Sequence, residues 1–175
     1  MIPQMTEYKP LAPQQQPKFA GIKTYLRLPH HQTVEGIDFA VVGIPWDGGT
    51  SYRTGQRAGP DAIRKISVNL RPYNLAQDIG IFEQCSGVDY GDLSVVPGYI
   101  EDTYAKIEAE LRPLVEAGVI PVVMGGDHSI SLPELRAIAK THGPVALIHF
   151  DSHTDTNDQY FGRPYYHGSM FRRAV

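Results

Sequence analysis

Three short runs of β-branched and apolar residues, at 37–44, 119–124 and 145–150, are separated by long stretches of helical period, and this alternation constrains the fold most. Each run has the length of a strand buried on both faces, and parallel strands need a crossover of a dozen or more residues, usually a helix. The helical pieces are legible between them. Pro60 suits a first helical position ahead of 62–70, and Ile100, Tyr104, Ile107, Leu111, Leu114 and Val115 form one stripe over 98–117. Pro113 should bend that helix's last turns, and Gly118 follows as its stop. Ser131-x-x-Glu134 reads as a capping box opening a helix that ends near Gly143. A further short strand is expected at 88–93. The pattern predicts an α/β domain, a mainly parallel sheet with helices on both faces, whose chemistry lies beyond the C-terminal ends of the strands.

Two of those strand ends run directly into metal-ligand residue types. One is Gly125-Gly126-Asp127-His128-Ser129, and the other is Asp151-Ser152-His153-Thr154-Asp155. In extended chain Asp151, His153 and Asp155 share one face, yet a straight strand spreads them over about 13 Å at roughly 3.3 Å per residue. Either the chain curls around one site or it serves two ions. Neighbouring parallel strands lie about 4.8 Å apart, so His128 reaches the same site if its strand is adjacent. Mixed oxygen and imidazole donors without thiolate suit Mn²⁺, with Ni²⁺, Co²⁺ and Zn²⁺ as alternatives.

The other histidines carry less. His149 sits two residues before Asp151, inside the third run, where a core or supporting role is expected rather than ligation. His142 falls in the last turn of a helix, where a cation suits the dipole. His30 and His31 lie in a polar loop. His167, in Tyr165-Tyr166-His167-Gly168-Ser169, follows the ligand cluster on a loop and by itself reads equally as a surface or a core residue.

Composition excludes several classes. A net charge of −3 and a pI near 6.1 give none of the basic footprint that a phosphate backbone demands, so nucleic acid is not an expected partner. Four glycines in the loop 46–59 suggest a phosphate cradle, but Gly49 and Gly55 are one residue too far apart and Gln56 stands where the lysine belongs. With one cysteine, Cys85, there is no internal disulfide. The first twenty residues lack the apolar core of a signal peptide, and no run reaches the length needed to span a bilayer. A cytoplasmic location without membrane attachment is expected. Residues 1–36, with prolines at 3, 10, 13 and 17, read as an N-terminal arm and entry segment, and 37–175 as the domain proper. The arm reads equally as a disordered tail or as a strap on a neighbouring subunit.

Gly43-Ile44-Pro45-Trp46-Asp47, Gly59-Pro60 through Ile63-Arg64, Gly125-Gly126-Asp127-His128-Ser129, Asp151-Ser152-His153-Thr154-Asp155 and His167-Gly168 together resemble the ureohydrolases, that is, arginases, agmatinases and guanidinobutyrases. The short N-terminal region and the 157–167 segment look closest to agmatinase or guanidinobutyrase. The resemblance implies an arginase-like three-layer α/β/α fold and hydrolysis of a guanidino group to urea and an amine by a hydroxide held between two Mn²⁺ ions, with Ni²⁺ as an alternative. It implies that His128 and Asp155 hold one ion, His153 the other, and Asp151 bridges them. His167 resembles the family's proton-shuttling histidine, and Asn157 a position that contacts the substrate's far end. It further implies a homo-oligomer, a trimer or hexamer. The family's second carboxylate pair, an Asp-x-Asp after a later strand, and a later substrate-binding Glu are not found by Val175. The chain is therefore expected to be the N-terminal half of such a protein, with the C-terminal part missing. The competing expectations are a non-catalytic or incomplete metal-binding fragment and a single-zinc, deacetylase-like amide hydrolase.

Overall fold

The computed structural model describes residues 8–12 and 14–175; of the arm, positions 1–7 and 13 lie outside the described residues. The first apolar run forms β1 (Phe39–Ile44), followed by α1 (Gly59–Ser67) with its proline near the helix start. A small antiparallel hairpin, β2 (Tyr73–Asn74) and β3 (Ile79–Gly80), leads into the single turn α2 (Ile81–Gln84). Then come β4 (Gly87–Asp92), α3 (Ile100–Glu116), β5 (Ile120–Gly125), α4 (Ser131–His142) and α5 (Met170–Ala174). The sheet order is β4-β1-β5, parallel throughout, so β1 is the centre, and each neighbour is reached by a helical crossover.

Period-two alternation decides what each face of β1 meets. Ala40, Val42 and Ile44 join Val88, Ile107, Leu111, Leu114 and Ala137 in the main core, so α3 and α4 cover that face. Val41 packs with Leu28 and Met124 on the other, beside α1. The apolar stripe of α3 is buried as its spacing predicts, and the helix runs through Pro113 to Glu116 before Gly118, at φ +75°, ends it. The arm from Tyr8 onward packs on the start of β4: the Tyr8 carbonyl accepts from the Gly87 N–H at 3.1 Å. Among the described residues no helix is long and apolar enough to cross a membrane.

Two expectations are corrected. The run 145–150, predicted as a third strand, joins no ladder; Ile148 and Phe150 are 81% and 94% exposed. A parallel strand is stable only with both faces covered, and among the described residues nothing pairs with the outer edge of β5, where Ile120 and Val122 are also exposed. The capping box does not form either. A 3-10 turn at His128–Ile130 precedes α4, so Ser131 is already helical, and Asp127 caps instead, its side chain accepting from the Ser129 N–H. Glu134, freed from any capping role, lines a cleft with Val123, Phe150 and Asp151, where loss of hydration pushes its carboxyl up to about 8.

Candidate metal centre and cleft

The site is built at the C-terminal ends of β1 and β5. The backbone there is stitched tightly: the Gly126 N–H donates to the Ile44 carbonyl and the Asp127 N–H to the Trp46 carbonyl, at 3.2 and 2.7 Å. A Cβ at Gly126 would collide with both carbonyl oxygens, so the residue before Asp127 has to be glycine. Asp127 is buried and spends its carboxylate on the backbone, accepting from Gly49 at 2.7 Å and Ser129 at 2.8 Å. It is therefore a brace that fixes the 49–51 loop against His128.

His128 meets the second motif. Its Nδ1 lies 2.8 Å from Asp155 Oδ2 and 3.3 Å from Asp151 Oδ2. The chain curls to allow this: Asp155 adopts φ +49°, and the Asp151 side chain closes a tight turn by accepting from the His153 N–H at 2.9 Å. That N–H is the main reason the Asp151 carboxyl is held below its ordinary value, which keeps it anionic. His153 itself is largely exposed, with its ring 3.5 Å from the other Asp151 oxygen.

The structure also brings in a residue that sequence reasoning set aside. His149 Nε2 lies 3.6 Å from Asp151 Oδ2, and His128, His149 and Asp151 each offer a ligating atom within 4.8 Å of the others. Phe171 of α5 packs edge-on against both imidazoles, with ring centroids 4.5 Å from His149 and 5.6 Å from His128. The only sequence signal for His149 was its spacing of two from Asp151; nothing flagged Phe171, twenty residues further along.

His167 takes its place through the same loop. Its N–H donates to the Gly49 carbonyl at 3.0 Å, and its Nε2 shares a 2.8 Å hydrogen bond with Ser51 Oγ. Ser51, Tyr52, Arg53, Asp127, His128 and His167 line a cleft of about 380 Å³. Asn157 is exposed and does not line it; its N–H donates to the Gly168 carbonyl.

A second buried carboxylate holds the far end of the loop. Asp47 accepts from the Gly55 N–H and from Arg57 Nε, both at 2.7 Å, and the Arg57 hydrogen bond foremost holds its carboxyl down to about 2. A carboxylate whose native value is depressed stabilises the fold above its unfolded value near 3.9 and loses that contribution as pH falls through the native one. Acid unfolding followed by near-UV circular dichroism should therefore show a stability loss between about pH 4 and 2 that Asp47→Asn flattens. An unchanged acid limb in the variant would remove Asp47 from this role.

The arginase-family model matches residues 37–175. A guanidinobutyrase from Pseudomonas aeruginosa is 44% identical over 171 residues, which cover 96% of this chain and 54% of that protein. Among solved structures, proclavaminate amidino hydrolase from Streptomyces clavuligerus superposes with a TM-score of 0.85 at 40% identity, covering 90% of this chain and 52% of that one. A Trypanosoma cruzi formiminoglutamase with Mn²⁺ gives 0.74 at 28% identity, covering 86% and 51%. The chain spans about half the length of the curated relatives it matches.

Proposed function

This chain belongs to the arginase family, and from that premise we propose that it serves the metal-dependent hydrolysis of a guanidino group to urea and an amine. The observation that carries this reading is the convergence of His128, His149 and Asp151, with His149 Nε2 buried and without a hydrogen-bond partner among the described residues. A buried imidazole nitrogen left unpaired costs free energy unless something coordinates it. The donor set fits a borderline-hard divalent cation, and Mn²⁺ is the ion named with the formiminoglutamase. His128, Asp151, His153 and Asp155 are the proposed ligands, joined by His149. Asp151 and Asp155 together balance the charge of one divalent ion; a second needs carboxylates beyond these.

When bound, a divalent cation such as Mn²⁺ would supply Lewis-acid polarisation and lower the pKa of a coordinated water well below its bulk value of about 15.7. The protein's own groups do the rest. A guanidinium carbon is a poor electrophile because its charge is delocalised, so the attacking water needs activation by a cation that the carboxylates at 151 and 155 would hold, while Phe171 packs edge-on against both imidazoles. The leaving amine must be protonated as its C–N bond breaks. His167 stands in the same cleft as His128, anchored by Ser51 and Gly49, and histidine is the side chain whose ordinary range suits proton donation at neutral pH.

Chelation followed by manganese add-back tests the reading. Urea release from guanidino compounds should vanish on chelation and return with Mn²⁺. Undiminished turnover in a chelated preparation would sink it.

A further inference from the structure

The hydrogen bond between Ser51 Oγ and His167 Nε2, 2.8 Å long and spanning 116 residues of chain, occupies one of the two ring nitrogens through which His167 can pass a proton. Ser51 is the exposed member of the pair. The imidazole is only half-buried, with the Tyr166 ring edge-on against it at 5.5 Å, and both partners line the cleft that His128 also lines. One segment grips His167 twice, since the Gly49 carbonyl accepts from its main-chain N–H at 3.0 Å and Ser51, two residues on, meets its side chain. That segment is itself fixed. Asp127 Oδ2 accepts from the Gly49 N–H at 2.7 Å and from Thr50 Oγ1 at 3.4 Å, and beyond Ser51 the Gly55 N–H donates to Asp47 at 2.7 Å. The serine hydroxyl is therefore placed before any substrate arrives, which is the condition for efficient proton transfer.

A hydroxyl both donates and accepts, whereas an imidazolium has only donors and a neutral imidazole has one of each. With His167 protonated, Nε2–H donates to Ser51 Oγ; with His167 neutral, Nε2 accepts from the Ser51 O–H. The bond is satisfied in both states. The geometry points to Ser51 as a further catalytic residue, the group that hands the His167 proton to the leaving nitrogen of the substrate. This rests on the guanidino-hydrolase reading with His167 as its acid, and adds the atom through which that acid acts. In the step, the Nε2–H bond breaks as an O–H bond forms on Ser51, and the original Ser51 O–H bond breaks as an N–H bond forms on the leaving nitrogen, which takes the electron pair of the C–N bond. Ser51 ends as a hydroxyl and His167 as a neutral imidazole. The proton given up by the attacking water restores the imidazolium, so no other acid or base is consumed.

The test measures urea release from 4-guanidinobutyrate by the manganese-loaded protein. Ser51→Ala should lower kcat by at least ~10-fold with KM kept within about twofold, a share of the roughly 10²–10⁴ that positioned proton transfer contributes. Ser51→Thr keeps the hydroxyl and should restore most of the rate. The deficit of the alanine variant should shrink on the guanidinooxy analogue, whose leaving nitrogen is bonded to oxygen, is weakly basic and needs little help from an acid. A merely structural role would cost both substrates alike. On the chain without added metal, nitrogen-15 NMR of labelled histidine should show the His167 Nε2 resonance moved by Ser51→Ala and kept by Ser51→Thr. Equal deficits on the two substrates, a loss in KM alone, no loss, or an unmoved resonance would overturn the assignment while leaving the hydrolase reading intact. Absence of urea release from the unsubstituted protein would overturn that reading and the relay with it, while the resonance would still report the Ser51–His167 bond.

Discussion

Asp151→Ala is expected to lower manganese affinity by more than ~100-fold and to remove metal-dependent urea release, because even groups that merely hydrogen-bond to a ligand cost about 10–100-fold when lost. Asp151 is the one carboxylate in the three-residue donor group found among the described residues. Its Oδ2 faces His128 Nδ1 and His149 Nε2, and its Oδ1 faces His153. Without it the remaining donors of that group are neutral imidazoles, with no negative charge to meet a divalent ion. Asp158→Ala is the control: that carboxylate is exposed and pairs with Arg173, so metal binding should be untouched. Calorimetric titration with Mn²⁺ and urea release at saturating metal give the readouts. An alanine variant that keeps both would show that Asp151 is no ligand.

The second large effect concerns stability. Arg64 of α1 grips Asp89 of β4 with Nε and Nη2 at 2.8 and 2.9 Å, and reaches Asp92 with Nη1 at 2.5 Å. The Asp89 side chain is 1% exposed and also accepts from the N–H groups of Tyr25 and Gly91. Breaking a buried pair by removing one partner typically costs about 3–5 kcal/mol, since the other charge is left uncompensated. Arg64→Met should therefore lower the unfolding free energy by about that amount in a denaturant titration. Adding Asp89→Asn should recover part of the loss, because the stranded charge goes with it. A cost below about 1 kcal/mol would mean that the network acts as a weak surface pair does.

What was legible in the sequence follows from local physics. The buried stripe of α3 and the alternation along β1 read directly because 3.6- and 2-residue periods are properties of the chain itself. The two ligand motifs were equally plain, since each sits where an apolar run ends. The capping box misled because Ser131 and Glu134 satisfy the spacing wherever the helix begins; the Asp127 cap and the 3-10 turn moved the start upstream of Ser131. The run 145–150 misled for a deeper reason. Its residues have strand character, but a ladder needs a partner edge and two covering layers, and neither can be read from six residues.

The sequence by itself determined the parallel core around β1, the two motifs at strand ends and the family to which the chain belongs. Only the tertiary structure decided which atoms meet. It brought His149 and Phe171 to His128, although their sequence separation from it gives no contact rule. It turned Asp127 from a candidate neighbour of the metal into a brace, and it set Arg53 and His167 on one cleft through the Asp47 and Asp127 anchors. The reason is that periodicity fixes which side of an element a residue occupies, whereas convergence on a site depends on backbone turns and long-range hydrogen bonds that no local pattern encodes.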